Sequence, residues 1–331
     1  MPPCSKKVEW VTLLLAAVIY GAFGLLTWFH AQIPLWLLLP LGAFVVAWQA
    51  SLQHEVVHGH PTPWPLINRL LVLPNLWLWL PYESYRASHL RHHRDEDLTQ
   101  PGLDPESYYV APEDWALLSR WRQSFYWLRN TCLGRFTLGS LQMVVGFWWG
   151  MGRRMISGAA DWKALALHAL SVALVYGWVV EVSGFAFSSY LLIMVLPGSA
   201  LTLVRSFLEH QADPAVGQRT VAVEAGPLFA LLFLNNNLHI VHHDRPGMAW
   251  YDLPREYRRN KAHYLQRNAG YRFSGYLEIF CRYFFWPEES PVHPGQGRAT
   301  LAMAPATRPE LSDRITSDAL LTASGQSLLP Q

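Results

Sequence analysis

No Lys or Arg occurs between Val8 and Asn68, and none between Ala164 and Val204. Each of these cation-free stretches holds two apolar runs, residues 11–29 and 33–53 in the first and 164–182 and 186–204 in the second. A run of about 21 residues makes a helix of roughly 31 Å, enough to cross the hydrocarbon core of a bilayer. Only a few residues separate the two runs of each pair, so each pair reads as a tight helical hairpin. Lipid offers no partner to an exposed peptide group, so spanning segments of this kind fold as helices. The expected fold is therefore an all-α polytopic membrane protein with four transmembrane helices in two hairpins. Composition agrees: charged residues make up 15% of the chain, against about 25% in soluble domains. The 16 Trp suit bilayer interfaces.

Lys6 and Lys7 precede the run Leu13-Leu-Leu-Ala-Ala17, as in a signal peptide. The apolar stretch continues past any cleavage point and a second follows at once, which favours a retained anchor. Positive charge lies before the first hairpin, between the hairpins and from Arg205 onward. By the positive-inside rule both termini are cytoplasmic. Residues 66–80 and 138–150 are also apolar but shorter, and the former contains Pro74. A crossing at either would put the histidine clusters described next on opposite sides. Both are read as interfacial or re-entrant helices on the cytoplasmic side. The net charge of +2 gives no reason to expect nucleic acid as a partner. Residues 1–287 read as one membrane domain, and the Pro-, Ser-, Thr- and Ala-rich residues 288–331 as a disordered tail.

Eight of the 14 histidines fall in three clusters: His54-Glu-Val-Val-His58, His89-Leu-Arg-His92-His93 and His239-Ile-Val-His242-His243. Residues three and four apart share a helix face, so each cluster can aim its imidazoles at one point. With four crossings, all three meet at the inner membrane–water boundary, in a cytoplasmic helical cap. Imidazole suits iron, copper, zinc and nickel. The three cysteines, Cys4, Cys132 and Cys281, are far apart and form no cluster. A multi-histidine iron centre is thus the best redox candidate. The first cluster alone also matches His-Glu-x-x-His, the zinc metalloprotease motif with Glu55 as base. A protease needs one more ligand, which would leave two His-x-x-His-His clusters unused. In the iron reading Glu55 instead orients an imidazole by accepting its second N–H.

The order His-x-x-x-His, His-x-x-His-His, His-x-x-His-His, with helical hairpins between, resembles the membrane fatty-acid desaturase and hydroxylase superfamily over roughly residues 10 to 285. The resemblance implies a non-haem di-iron centre with O2 as oxidant, and one more histidine ligand near the end of the fourth helix. His210, in Arg205-Ser-Phe-Leu-Glu-His210, stands at that place. The implied ligand set is His54, His58, His89, His92, His93, His210, His239, His242 and His243, with no division between the irons readable. The flanking sequences Asp95-Glu-Asp-Leu-Thr-Gln-Pro101 and Asp244-Arg-Pro246 look like a bacterial desaturase-like group that also resembles hydrocarbon oxygenases and carotenoid ketolases. The implied location is the bacterial inner membrane, with the active site facing the cytoplasm.

Other polar residues are expected around the centre. His60 reads as a neighbour of the ligands, and His168 as a packed polar residue in a span. His30 and His263 read as interface residues. Asn235-Asn-Asn237 can fix imidazole tautomers or form a polar helix start. Asp95-Glu-Asp97 and Asp104-Pro-Glu106 can support the second cluster or face solvent. Arg205, Arg245 and Arg255 can hold a substrate carboxylate or anchor to phosphates. His293-Pro-Gly-Gln-Gly297 lacks room for a fused haem domain. The chain carries no haem motif, cysteine cluster or Gly-x-Gly-x-x-Gly, so a separate ferredoxin-type donor and its reductase are implied. The expected reaction is O2-dependent oxidation of a lipid acyl chain, most simply desaturation. The alternatives are hydroxylation, ketolase-type oxygenation and oxidative decarboxylation.

Overall fold

The computed structural model describes residues 7–94 and 96–295. Cys4, Lys6, Asp95 and the tail beyond 295 lie outside the described residues. Four helices are long and apolar enough to cross a membrane: Trp10–Trp28, Leu35–Val57, Trp162–Val182 and Phe187–Ser206. They are the two hairpins expected from the sequence, and the chain is a helical, four-span membrane protein. Ala, Leu and Val fill them, and Asp161 opens the third by accepting a hydrogen bond from the Ala164 N–H at 3.0 Å.

The second and fourth spanning helices pack most closely, because glycine lets their backbones approach. A Cβ at Gly198 would fall 2.7 Å from the Val46 side chain and 3.0 Å from the Ala43 carbonyl. At Gly42 it would meet Met194. The fourth helix widens into a π turn over Leu191–Val195, immediately before Pro197. Proline lacks the N–H and crowds the carbonyl one turn back, and the wider turn accommodates both defects.

Neither of the two shorter apolar stretches forms a spanning helix. Residues 66–80 form a short helix, Pro65–Leu71, followed by irregular chain. That chain is tied to the spanning helices from both sides. Tyr20 and Gln49 donate to the Pro74 carbonyl, Ser171 to the Leu73 carbonyl and Tyr190 to the Leu76 carbonyl. Residues 140–150 belong to a longer amphipathic helix, Ser140–Ile156, and Leu138 and Gly139 to the π turn Arg135–Gly139 that leads into it.

Beyond the fourth helix the chain is short-segmented. A two-residue parallel pairing of Ala222–Val223 with Arg272–Phe273 pins the C-terminal part to the loop before the third histidine cluster. Of the stretch from 288, residues 288–295 lie against the body: Val110 and Val292 form a parallel bridge, and the Val110 N–H donates to the Pro291 carbonyl at 2.9 Å.

Candidate metal centre

Three local structures carry the clusters. His54 and His58 sit at the last turn of the second spanning helix. His89, His92 and His93 end the helix Tyr82–His92, and the third cluster forms the short helix His239–Asp244. Helical spacing puts His54 over His58 and His89 over His93, one turn apart. His210 follows the fourth spanning helix in extended chain, held by an antiparallel bridge to Thr220.

These elements bring all nine expected histidines together and divide them, which the sequence did not. His54, His58, His89, His93 and His242 form one group; His92, His210, His239 and His243 form a second. Within each group, one donor atom per residue lies within 4.8 Å of every other. The groups adjoin, with the rings of His93 and His243 stacked at 4.3 Å. Both His-x-x-His-His clusters are split between the two groups, so neither site belongs to one segment.

The Nε2 atoms face each other. His58–His89, His89–His93 and His93–His242 are each 3.1 Å apart, Nε2 to Nε2. In the second group, His92–His210 is 3.0 Å and His210–His239 is 3.1 Å. The opposite nitrogens of several rings have acceptors. His89 Nδ1 lies 3.0 Å from Glu106 Oε1, His92 Nδ1 lies 2.9 Å from Asp104 Oδ1, and His239 Nδ1 lies 3.0 Å from Asn236 Oδ1. An acceptor at Nδ1 places the ring proton there and turns the Nε2 lone pair inward. Facing lone pairs repel unless a cation lies between them. Two nitrogens bound at right angles, each about 2.1 Å from one ion, stand about 3.0 Å apart. The donor set and its spacing therefore fit a metal in each group.

The electrostatics agree. Burial, reinforced by the neighbouring imidazoles, drives His58, His89, His93, His210, His239 and His242 well below the ordinary histidine value. They are neutral at physiological pH, as ligands must be. His92 differs: burial lowers it, but Asp104 and Glu106 outweigh burial and leave it at about 9. The field that holds a proton on His92 would hold a cation there equally well.

Several expectations about the surroundings change. Glu55 does not orient an imidazole: its Oε1 is 3.7 Å from His54 Nδ1, too long for a hydrogen bond, and its Oε2 accepts from the Trp250 backbone N–H at 3.3 Å. His60 joins neither group. It binds Glu9 at 2.6 Å and fastens the start of the first spanning helix to the loop after the second. Of the three asparagines, Asn236 alone faces the centre, touching His239 and lying 3.4 Å from His54 Nε2. Asn235 and Asn237 donate to the Trp250 and Val223 carbonyls. Arg205 is held by Glu209 at 3.1 Å, Arg245 pairs with Glu256 at the surface, and Arg255 is exposed. Glu209 was missed by sequence reasoning. It spans Arg205 and His239 Nδ1, 3.5 Å away, and the available signal was its place next to His210, one helical turn after an arginine.

A cavity of about 130 Å³ opens against the second group, with His92 and His210 in its wall. Trp77, Trp79, Leu80 and Met143 line an apolar part, and Arg135, Glu288 and Glu289 a polar part. Burial raises the two glutamates to about 8 and about 7, and the Tyr109 hydroxyl donates to Glu289.

The sequence model of the fatty acid desaturase family matches residues 31–275, a stretch that includes every histidine of both groups. No curated protein matches the chain.

Proposed function

The chain belongs to the fatty acid desaturase family, and from that premise we propose that it is an O2-dependent membrane oxidoreductase with two non-haem irons, acting on a lipid acyl chain and most simply desaturating it. The observation that carries this reading is the pair of buried imidazole groups with converging Nε2 atoms. Nine nitrogens without a cysteine suit iron, and the family is one of iron-dependent oxidoreductases. A zinc protease would use three protein ligands at one ion and has no place for the second group. Hydroxylation, ketolase-type oxygenation or oxidative decarboxylation would draw on the same site.

His54, His58, His89, His93 and His242 would hold one iron, and His92, His210, His239 and His243 the other. Bound iron supplies the redox and O2 chemistry that amino acids lack. The chain's own residues do the rest. Asp104, Glu106 and Asn236 fix the imidazole tautomers. Glu209 holds Arg205 and stands beside His239. Trp77, Trp79, Leu80 and Met143 offer an apolar wall along which a chain segment lies with water excluded. Electrons come from a separate ferredoxin-type donor. Exposed Arg255, Arg258 and Arg259, on the helix Leu253–Arg267 after the third cluster, suit an acidic partner. The charge asymmetry of the loops supports a cytoplasmic location for this face, and the membrane would be a bacterial inner membrane.

Metal analysis of the purified protein, with lipid mass spectrometry of an expressing host, tests the reading. The expected result is about two irons per chain and a lipid lacking two hydrogens. Gain of one oxygen would make the enzyme a hydroxylase, and one zinc per chain without iron would overturn the proposal.

A further inference from the structure

Exposed apolar side chains gather where two segments outside the spanning helices meet. The helix Arg120–Arg129 turns Trp121, Ser124 and Leu128 outward from one face, while Tyr126 and Arg129 are buried. The helix Tyr276–Tyr283 turns out Leu277 and Cys281, and the chain after it Phe285 and Trp286. Trp121, Leu277, Phe285 and Trp286 are 68%, 75%, 67% and 74% exposed. The two segments touch through their backbones. Gly134 lies so close to the Leu128 carbonyl that a Cβ would overlap it, and the neighbouring Leu133 N–H donates to the Phe284 carbonyl at 3.1 Å. An apolar surface of this kind marks a contact with a membrane or another protein.

The surface continues onto the lipid-facing part of the molecule. Leu133 leads into the π turn Arg135–Gly139 and the helix Ser140–Ile156, where Leu141, Val145 and Trp149 are exposed one turn apart. Two contacts fix the depth of that helix. A Cβ at Gly139 would fall 3.0 Å from the Leu203 side chain, three residues before the fourth span ends at Ser206. The rings of Trp148 and His168 are 5.9 Å apart, and His168 lies six residues inside the start of the third span at Trp162. Those two ends lie on the same side of the hairpin. At about 1.5 Å per residue the contacts are about 4–5 Å and about 9 Å deep, while Gly139 and Trp148 are about 13–14 Å apart along the helix. The helix therefore runs along the membrane boundary rather than across it. Leu133 stands within about 9 Å of Gly139, at the same boundary.

We infer that this surface, from Trp121 to Trp286, is seated in the bilayer leaflet on the histidine side. Its continuity with the exposed stripe of Ser140–Ile156 carries the assignment, because one leaflet covers both. The composition agrees: tryptophan and phenylalanine favour the boundary between headgroups and acyl chains. Arg120 is exposed beside Trp121, and the Arg122 guanidinium lies 5.3 Å from the Trp121 ring, a rim that suits lipid phosphates. The seat also sets the level of the histidine cavity. Asn130 and Glu288 line that cavity and stand two residues from Leu128 and Trp286. A leaflet on this surface places the polar end of the cavity among the headgroups.

The chain carries its own reporter, since Cys281 is exposed within the surface whereas Cys132 is buried. The full chain with Cys4→Ser is reconstituted in phosphatidylcholine–phosphatidylglycerol vesicles. A nitroxide on Cys281 is then read for collisions with O2, which concentrates in lipid, and with a water-soluble nickel chelate. Trp121→Cys, combined with Cys281→Ser, samples the other segment. In that same background, exposed Arg259→Cys is the water standard, and Leu170→Cys, eight residues inside the third span, is the lipid standard. The expected ratio of O2 to nickel collisions at Cys281 and at position 121 is severalfold above that of Arg259→Cys, toward that of Leu170→Cys. Ser290→Cys, beside Glu289, falls between Cys281 and Arg259→Cys. A ratio at Cys281 equal to that of Arg259→Cys overturns the proposal. So do few collisions with both reagents, which mark cover by protein, and by a second copy where labels on two chains broaden each other. A ratio at Ser290→Cys equal to that of Arg259→Cys overturns the level assigned to the cavity. These readings need neither iron nor substrate, so they hold or fail independently of the function proposed above.

Discussion

The two histidine groups lie side by side and are built from the same ring, yet they face different surroundings. None of the five histidines of the first group lines the cavity, whereas His92 and His210 of the second do. The second group is also more heavily buttressed for its size. His92 has Asp104, His239 has Asn236 and Glu209, and His210 stands 3.4 Å from the Thr220 hydroxyl. A saturated, enclosed donor set suits a structural or electronic role, and a smaller set open to a cavity leaves room for substrate. Under the proposed function, the difference favours the four-histidine group as the one beside which the lipid would lie.

The sharpest way to break that assignment is to remove one ligand from each side. His210→Ala leaves three donors in the open group, and the expected outcome is a fall from about two irons per chain to about one, with lipid oxidation down by about 100-fold or more. His93→Ala leaves four donors in the enclosed group and keeps close to two irons. Metal analysis and product assay on the two variants decide it: equal iron loss would erase the distinction. Second in size are the supporting carboxylates. Asp104→Asn removes the charge behind His92 and should weaken iron retention about 10- to 100-fold against a chelator. Glu106→Gln, behind His89 in the five-member group, should weaken it less.

The contrast between groups also marks where the sequence stopped informing. Helical spacing aligns His54 with His58, and the absence of positive charge in both hairpins forces the three clusters to one face. Eight of the nine histidines and the four spans were therefore legible from spacing and charge, and the ninth, His210, only from the family resemblance. Their division was not, because it depends on how the helix Tyr82–His92 is rotated against the short helix His239–Asp244. That rotation is set by packing, not by either segment. The same holds for the supports. Asp104 reaches His92 through a loop in which it also accepts from the Thr99 and Glu106 backbone N–H groups, a geometry with no periodic signature. Glu55 looked like an orienting carboxylate from a motif, yet its side chain turns to the Trp250 backbone.

A third prediction disturbs both groups at once. Gly198 lets the fourth spanning helix, which leads to His210, lie against the second, which carries His54. Gly198→Ala forces a Cβ against Val46 and the Ala43 carbonyl and should cost about 1–3 kcal/mol, read as a lower melting temperature. If the histidine frame depends on that contact, iron retention weakens in parallel; unchanged iron with lower stability would show that the loops hold the centre without the helix contact.

The smallest effect concerns the polar end of the cavity beside the open group. Glu288 titrates at about 8, raised from an ordinary value of 4.5 by burial and by neighbouring Glu289. Between those two values the folded protein keeps a proton that the unfolded chain has released. Stability contributed by the neutral acid is therefore lost as pH rises from about 5 to about 8, and is constant above. Glu289, at about 7, adds to the same slope over a narrower window. Glu288→Gln holds the neutral form at every pH. Its melting temperature should match wild type near pH 5 and exceed it at pH 8.5 by about 2–4 °C, the shift of roughly 1 kcal/mol in a chain of this size. The five-histidine group has no part in this cavity, so His93→Ala should leave that pH slope as it is. If Glu288→Gln kept the wild-type slope, the charge at this wall would not be coupled to folding.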